Sequence, residues 1–501
     1  MTTDCINTRR KRLIRKWPSD IRLNSSSVFI GSCSSKFGVF QGQLKDLIFL
    51  PGADASVRTC PPRIPHHTHM DNSLPAHPDI FRQNSPGPRW EDCTWMDVGN
   101  IAYDLHANSL KVCVNGIWQH VTLNLQAPSP KLPKRLDYLE FYKDLKTPGP
   151  SIDVEVFRIE GEGLFCVLAS SRGRRKKKDV SVMYKWTAGE FVPYQRIPTD
   201  AAQCWEHFTI GSNFFLAVAN YGDNSADPTN STIYKWNRRK KRFKEFQSII
   251  TWTARDFEYF EIDNDHFLAV ANHARGRSQS VDSIIYKWNR KERRFREHQV
   301  IPTVGAYDWT YFTVNNFHFL AVAQAFDGLT TLLDSKIFVL QNNEFIFFQA
   351  IETTGATDWE FFSIKEDSFL VVANAYNYGP QNFMNKNQYQ TNSTVYRLDK
   401  DRRVFKKFQT FKTYSAIDWE FFSIENDHYL VVSNAQNSNI EQDLQTAIYR
   451  WQGADKFVLV HEMFTLPNSD WEIFEEDGDV YFLYSNAKGR TSQIYKAVFT
   501  F

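Results

Sequence analysis

No run in this 501-residue chain is apolar for long enough to cross a bilayer as a helix. Its opening, MTTDCINTRRKRLIRKW, is basic but leads into no apolar stretch of the kind a secretory leader needs, so the chain as written reads as lacking a signal peptide. Charge of either sign in excess is missing too. Lys and Arg number 59 against 57 Asp and Glu, and a net +2 leaves no global field for nucleic acid. There is no nucleophile elbow, no phosphate-cradling glycine loop and no H-E-x-x-H, which removes the common catalytic signatures. The 7 cysteines include no C-x-x-C and no Cys/His spacing of a zinc site. Helical periodicity is absent throughout.

What the chain does have is aromatic residues, 41 Phe, 21 Tyr and 14 Trp, in short runs mixed with Val, Ile and Thr that suit pleated strands. Two of these runs are nearly identical: ATDWEFFSIKEDSFLVVAN from Ala356 and AIDWEFFSIENDHYLVVSN from Ala416. The position held there by Trp359 and Trp419 is held elsewhere by Val154, Trp205, Phe257, Trp309 and Trp471, at spacings of 51, 52, 52, 50, 60 and 52 residues. Each unit carries a DWEFF-like run, an FLAVAN-like run, an IYKW-like run and an RFKEFQ-like run. Four strands per unit at this period predict a propeller blade. The last unit stops after its third run, and a spare fourth-type run, LEFYKDLKT with Leu139, Phe141 and Leu145, precedes the first. The sequence therefore predicts an all-β, seven-bladed propeller closed by strand exchange, with the tryptophans packed between blades.

The repeated D-W-E-x-F, F-L-x-V-A-N and I-Y-[KR]-W runs resemble the EAR (epilepsy-associated, or EPTP) repeat family, to which the leucine-rich glioma-inactivated proteins belong. The likeness spans 136–501. Upstream, VFIGSCSSKFGVFQGQLKDLIFLPGADASVRTCPP resembles the closing strands of a thrombospondin-type laminin G domain, with Cys33 and Cys60 near its ends. The resulting division is a truncated laminin G-like fragment at 1–60, a Pro/His-rich linker at 61–90, a small β region at 91–135 and the propeller. The resemblance implies a non-enzymatic binding protein, secreted or at the cell surface in its full-length form, in a family whose members bind ADAM-type receptors and are linked to neural excitability and hearing. Cys33 with Cys60, and Cys93 with Cys113, are spaced to close local loops in an oxidising compartment; buried free thiols are the alternative.

Candidate sites follow from the repeat. Asp153, Asp256, Asp308, Asp358, Asp418 and Asp470 open equivalent first strands, with Cys204 at that place in the second unit. If those strands are innermost, the carboxylates converge on a central channel. Like charges there need a counterion such as Ca²⁺, or each Asp takes a backbone amide of the next blade. Asn24, Asn230 and Asn392 open N-x-[ST] sequons, the latter two in what reads as the same loop of two blades. Arg172, Arg174, Arg175, Lys176, Lys177 and Lys178 form a run suited to sulfated glycan or anionic lipid, or simply to solvent. Phe383, Met384 and Tyr389 sit on the longest insertion as candidate anchors for a protein partner. The functional expectation is a rigid platform for an unidentified cell-surface or extracellular receptor. The alternatives are a glycan-acting enzyme with carboxylates at the channel mouth, or an intracellular scaffold.

Overall fold

The computed structural model describes residues 101–104, 109–114, 117–120, 134–170, 179–223, 226–382, 387–435 and 445–500. They fall in two compact units, each described by itself. In the smaller, β1 (Ile101–Asp104), β2 (Ser109–Val114) and β3 (Ile117–His120) form an antiparallel meander. Cys113 on β2 is buried and disulfide-bonded. Cys33, Cys60 and Cys93 lie outside the described residues.

The larger unit is a seven-bladed β-propeller, seven four-stranded antiparallel sheets, and its only described helical turns are two of three residues each. In blade 1, β5 (Ser151–Ile159), β6 (Gly163–Ser170), β7 (Asp179–Thr187) and β8 (Glu190–Thr199) pair in chain order from the axis outward. Blades 2 to 6 repeat this over 202–251, 254–304, 306–354, 356–414 and 416–464. Blade 7 takes three strands from 468–500 and its fourth, β4 (Arg135–Lys146), from the other end of the chain. The pairing runs from Thr491 opposite Lys146 to Thr500 opposite Arg135, placing Leu139, Phe141 and Leu145 across from Ala497, Tyr495 and Ser492.

Burial explains the strand compositions. The second strand of each blade is covered on both faces by its neighbours, so it reads as a continuous apolar run rather than an alternating one. Leu216, Ala217, Val218 and Ala219 are all 0% exposed, and the small alanines let adjacent sheets approach near the axis. Trp205, Trp309, Trp359, Trp419 and Trp471 are buried in the clusters between blades. The closing Asn of FLAVAN is a strap rather than packing. Asn220 donates its side-chain amide to the Asn230 carbonyl and accepts the Asp200 N–H, and its own N–H meets the Ser231 hydroxyl. Asn272, Asn374 and Asn434 repeat this arrangement in part or whole.

The turn into each inner strand is tight. Gly305 and Gly355 have φ of 55° and 59°, and a Cβ there would lie 2.1 Å from the Phe326 carbonyl oxygen or 2.4 Å from that of Tyr376. Ala201, Thr253 and Ser415 hold the same place at positive φ in blades 2, 3 and 6, so it is the close approach to the carbonyl, added to the conformation, that favours glycine at 305 and 355.

Candidate functional site

Each inner strand begins with a bulge that sets a side chain toward the axis, an aspartate in six blades and Cys204 in blade 2, and the next residue, usually Trp, toward the neighbouring blade. The six aspartates are linked head to tail around the ring. Asp153 accepts the Trp205 N–H at 2.8 Å, Asp256 that of Trp309 at 3.1 Å, and Asp308 that of Trp359 at 3.1 Å. Asp358 accepts from Trp419 at 2.9 Å, Asp418 from Trp471 at 3.2 Å, and Asp470 from Val154 at 2.6 Å, which closes the circle. In blade 2 the Cys204 sulfur receives the Phe257 amide while its thiol donates to Asp256. A second tier lies two residues on: Glu206, Glu258 and Glu360 accept the amides of Tyr259, Tyr311 and Phe421 at 3.1, 2.7 and 3.2 Å. Blade 4 breaks this tier with Thr310, whose hydroxyl donates to the Trp359 carbonyl at 2.5 Å.

These carboxylates are half-buried along the axis and surrounded by protein, so burial, joined at Asp153, Asp308, Asp358 and Asp418 by mutual repulsion, pushes them toward the neutral form. Burial raises Asp256 to about 6, against hydrogen bonds from Cys204, Trp309 and Phe257. It raises Asp470 to about 7 and Glu360 to about 8. Asp153 is held well above the usual carboxylate range by burial and the Asp470 charge, and Asp358 by burial and Asp418. An oxygen-rich donor set suits a hard cation such as Ca²⁺. Among the described residues, however, no three His, Cys, Asp or Glu side chains gather closely enough to hold a metal. A cation here would be held through water or by fewer than three carboxylates.

The mouth of the bore is less regular. The residue inside each bulge differs from blade to blade, and in blades 2, 3 and 4 it is Gln203, Arg255 and Tyr307. The Arg255 guanidinium is sandwiched between the rings of Tyr221 and Tyr307, 4.4 and 4.5 Å from their centroids, and donates to Gln203. His273 packs edge-on against Tyr307 at 5.9 Å, and burial then Arg255 lower it to about 3, so it is neutral. Tyr376 of blade 5 belongs to the same group, raised to about 12 by burial and then by the Tyr307 charge. Beside it the loops of blades 4 and 5 are fastened together: the Thr331 N–H donates to the Tyr378 carbonyl at 2.9 Å, and the Tyr378 N–H to the Thr331 hydroxyl at 2.7 Å. This ridge presents Leu329 at 76% exposure and Tyr378 at 52%.

Asn230 and Asn392 are exposed, but on the third strands of blades 2 and 5 (Thr229–Asn237 and Gln390–Asp399) rather than in a loop. Each strand extends into this polar segment because buried Ser231 and Ser393, next to each Asn, anchor its start to Thr251 and Thr413. Asn24, the Arg172–Lys178 run, Phe383 and Met384 lie outside the described residues. Tyr389 is half-buried at the foot of its insertion.

Sequence reasoning missed the outer clamps. Gln195, Gln247, Gln299, Gln349 and Gln409 each donate to, and accept from, the backbone of a Phe in the next blade (Phe243, Phe295, Phe345, Phe405 and Phe457) at 2.6–2.9 Å. The recurrent F-Q pair in the fourth run was the available signal.

This architecture defines a class: a strand-exchanged propeller of EPTP repeats. The EPTP domain family matches residues 190–237, 242–289, 294–339, 344–399 and 404–452. The chain is 40% identical over 511 residues to the human "Thrombospondin-type laminin G domain and EAR repeat-containing protein", covering 99% of this chain and 74% of that one; the Mus musculus counterpart gives the same figures. "Leucine-rich repeat LGI family member 2" of Mus musculus is 29% identical over 105 residues, 21% of this chain and 18% of that protein. The chain belongs to the family of thrombospondin-type laminin G domain and EAR repeat-containing proteins.

Proposed function

We propose that this chain is a non-enzymatic protein of the extracellular space or cell surface whose propeller docks a protein partner at the channel mouth. The observation that carries the reading is the Tyr221–Arg255–Tyr307 stack beside the Leu329–Tyr378 ridge. Tyr and Arg anchors in a half-buried setting next to exposed apolar side chains are the composition of binding hot spots. The cross-bonded loops hold these side chains ready, so little ordering entropy is lost on contact. A disulfide at Cys113 and exposed sequons at Asn230 and Asn392 support an oxidising, glycosylating compartment. By family resemblance the readout is cell-surface signalling in sensory (hearing) or epithelial tissue. The even spread of amide-bonded carboxylates around the bore favours architecture over catalysis.

The test is proximity labelling on epithelial or sensory cells with the wild-type chain and with Leu329→Asp and Tyr378→Asp. Both variants are expected to lose the same labelled surface protein while melting like wild type. An unchanged label set sinks the docking site. Turnover of a glycan substrate that Glu360→Gln abolishes would replace the binding reading with the enzyme.

A further inference from the structure

We propose that the outer rim of blade 4, at the end of the propeller away from the channel mouth, docks a protein segment with an aromatic or large aliphatic anchor flanked by carboxylates. Here a row that every other blade charges is wholly apolar. Near the start of each second strand stands a buried ring, and in six blades the residue opposite it on the third strand is a cation: Lys185, Lys235, Lys287, Arg397, Arg450 and Lys496. Blade 4 has Val339 there, opposite Phe319. The second strand opens with Asp265, Asp367 and Asp479 in blades 3, 5 and 7, and each pairs with the cation of its own blade at 2.6–2.8 Å. In blade 4 it opens with Phe317, two residues before Phe319 and on the same face. Across from Val339 on the outer strand is Ile346, where blades 2, 3 and 5 have Lys244, Arg296 and Lys406.

The exchange uncovers rings as well as removing charge. Lys185, Lys235 and Lys287 lie over Phe165, Phe215 and Phe267, 5.1–5.6 Å from the ring centroids. With Val in that place, Phe319 is the least buried of its row, at 8% exposure against 0–5% in the other blades. A second ring repeats the pattern. Phe246 lies beneath Lys235 of its own blade and Arg294 of the next, and Phe408 beneath Arg397 and Lys456. Phe348 has Val339 and Val404 in those two places. Val339 and Phe348 pack on the cluster between blades 4 and 5, and Phe317 and Ile346 share their face, so all four are turned to blade 5. Phe317 is 61% exposed and Ile346 42%.

At about 150–250 Å² for a whole aromatic side chain, Phe317 and Ile346 leave on the order of 200 Å² of apolar surface bare, well short of the roughly 800 Å² per partner of a stable dimer. That area fits a short segment rather than a second propeller. A bilayer fits it no better. Both hairpins at this end of blade 4 are tipped by exposed asparagine pairs, Asn315–Asn316 and Asn342–Asn343, with φ of 47–66°, and a membrane would meet their amides before any ring. The complementary charge stands on the next blade. Lys400–Lys407 carries 5 Lys or Arg against Asp401 alone. Lys400 and Lys406 are paired with Glu366 and Asp399. Arg402, Arg403 and Lys407 are exposed with no ion pair among the described residues, and Lys407, opposite Tyr396, is turned to blade 4. From Val339 to Ile346 the blade 4 hairpin has one charge, Glu344. An anchor laid on Phe317, Val339 and Ile346 therefore has cations to its blade 5 side, where carboxylates would be held.

The probe is a displayed library of random dodecapeptides selected on the full chain, with the enriched peptides synthesised and titrated by fluorescence anisotropy. They are expected to share an aromatic or Leu anchor beside Asp or Glu. Phe317→Asp/Val339→Lys rebuilds the ion pair of blades 3, 5 and 7, so it should melt at or above the wild-type temperature while losing about tenfold or more in peptide affinity. Ile346→Lys alone should weaken binding in the same direction and guards against misfolding of the double variant. Arg402→Glu/Arg403→Glu should weaken it too, by a factor that shrinks as salt is raised. Phe347→Lys is the control: Phe347 is 59% exposed but lies opposite Phe338, on the face turned to blade 3, and its variant should bind like wild type. Leu329→Asp at the channel mouth should also bind like wild type, so failure here and failure of the channel-mouth reading are separate results. Failure to enrich any peptide overturns the proposal, as does a basic consensus or equal binding to the Phe317→Asp/Val339→Lys variant. A wild-type dimer in analytical ultracentrifugation that this variant dissolves, or phosphatidylserine-vesicle binding that it abolishes, overturns it in favour of a second copy or a membrane.

Discussion

At the five interfaces from blade 1 to blade 6, an outer glutamine clamp is accompanied near the axis by a stacked ring pair. Phe157 meets His207, Phe208 meets Tyr259, Phe260 meets Tyr311, Phe312 meets Phe361 and Phe362 meets Phe421, with centroids 4.5–4.6 Å apart. The two interfaces of blade 7 have neither. Ile473 and Val156 occupy the ring position, and His461 and Lys143 the clamp position. Toward blade 1 the substitutes are Lys143 paired with Glu190 at 3.3 Å, Tyr142 donating to the Gly189 carbonyl at 2.8 Å, and Arg158 paired with Glu476. Toward blade 6, Arg135 pairs with Asp427 at 3.1 Å. The five EPTP matches end where this change begins. The seam keeps its apolar packing, with Leu145, Trp186 and Phe474 toward blade 1 and Leu136, Phe422 and Phe482 toward blade 6, but replaces the clamp and the ring pair by ion pairs, while the aspartate ring runs through all seven interfaces with one cysteine exception.

The comparison breaks most completely if β4 is removed. Deleting 134–147 strips the last sheet of buried Leu136 and Leu145 and opens an edge, so cooperative thermal unfolding should vanish. Moving the segment behind the C-terminus should restore it, because Thr500 already lies opposite Arg135 and a short hairpin can join them. A preserved sharp transition in the deletion would show that the seam needs no ladder. Next in size, Gly305→Ala forces a Cβ onto the Phe326 carbonyl at positive φ, with an expected loss of roughly 2–4 kcal/mol in chemical denaturation.

The bore predicts a pH effect of the next rank. Free carboxylates titrate near 4, whereas Asp470 and Glu360 are raised to about 7 and about 8. Over that interval the native state binds more protons than the unfolded one, so stability falls as pH rises. His207, lowered by burial to about 4, and His273 act in the opposite sense only below the free histidine value. Between about pH 7 and 8.5 the carboxylates dominate, and the unfolding free energy from denaturant titrations in chelator should drop by about 1–2 kcal/mol. Glu360→Gln should flatten the profile, and calcium should oppose the drop if it enters the bore. A rise in stability over this window would contradict the buried ring. Smaller again, Gln349→Ala removes both bonds to Phe405 and should cost about 1–3 kcal/mol. Smallest, Lys143→Ala at the exposed seam pair should cost less than about 1 kcal/mol and lose even that in high salt. A seam variant costlier than the clamp variant would reverse the ranking.

The blade count and the exchanged strand were legible because repetition multiplies a weak strand signal seven times, and because LEFYKDLKT is a fourth-type run stranded on the wrong side of the first unit. The aspartate ring was legible as a position, and its amide partners were one of two readings open. The clamps were not seen, since a glutamine after an aromatic looks like any polar residue on an outer strand until the neighbouring backbone is in place. The mouth escaped for the opposite reason. Gln203, Arg255 and Tyr307 share no chemistry, so repeat analysis averages them away, and only folding brings Tyr221 and Tyr307 around one guanidinium.

Because blade 7 borrows β4, the first propeller strand to leave the ribosome must wait for the last. Lys146 and Thr491 are partners separated by 345 positions. At about 5–20 residues per second, that is a delay of roughly 20–70 s during which a nascent edge stays unmated. The exposed charges along β4, Glu140, Asp144 and Lys146, are suited to keeping that edge solvated and unattractive to other polypeptides until its mate arrives.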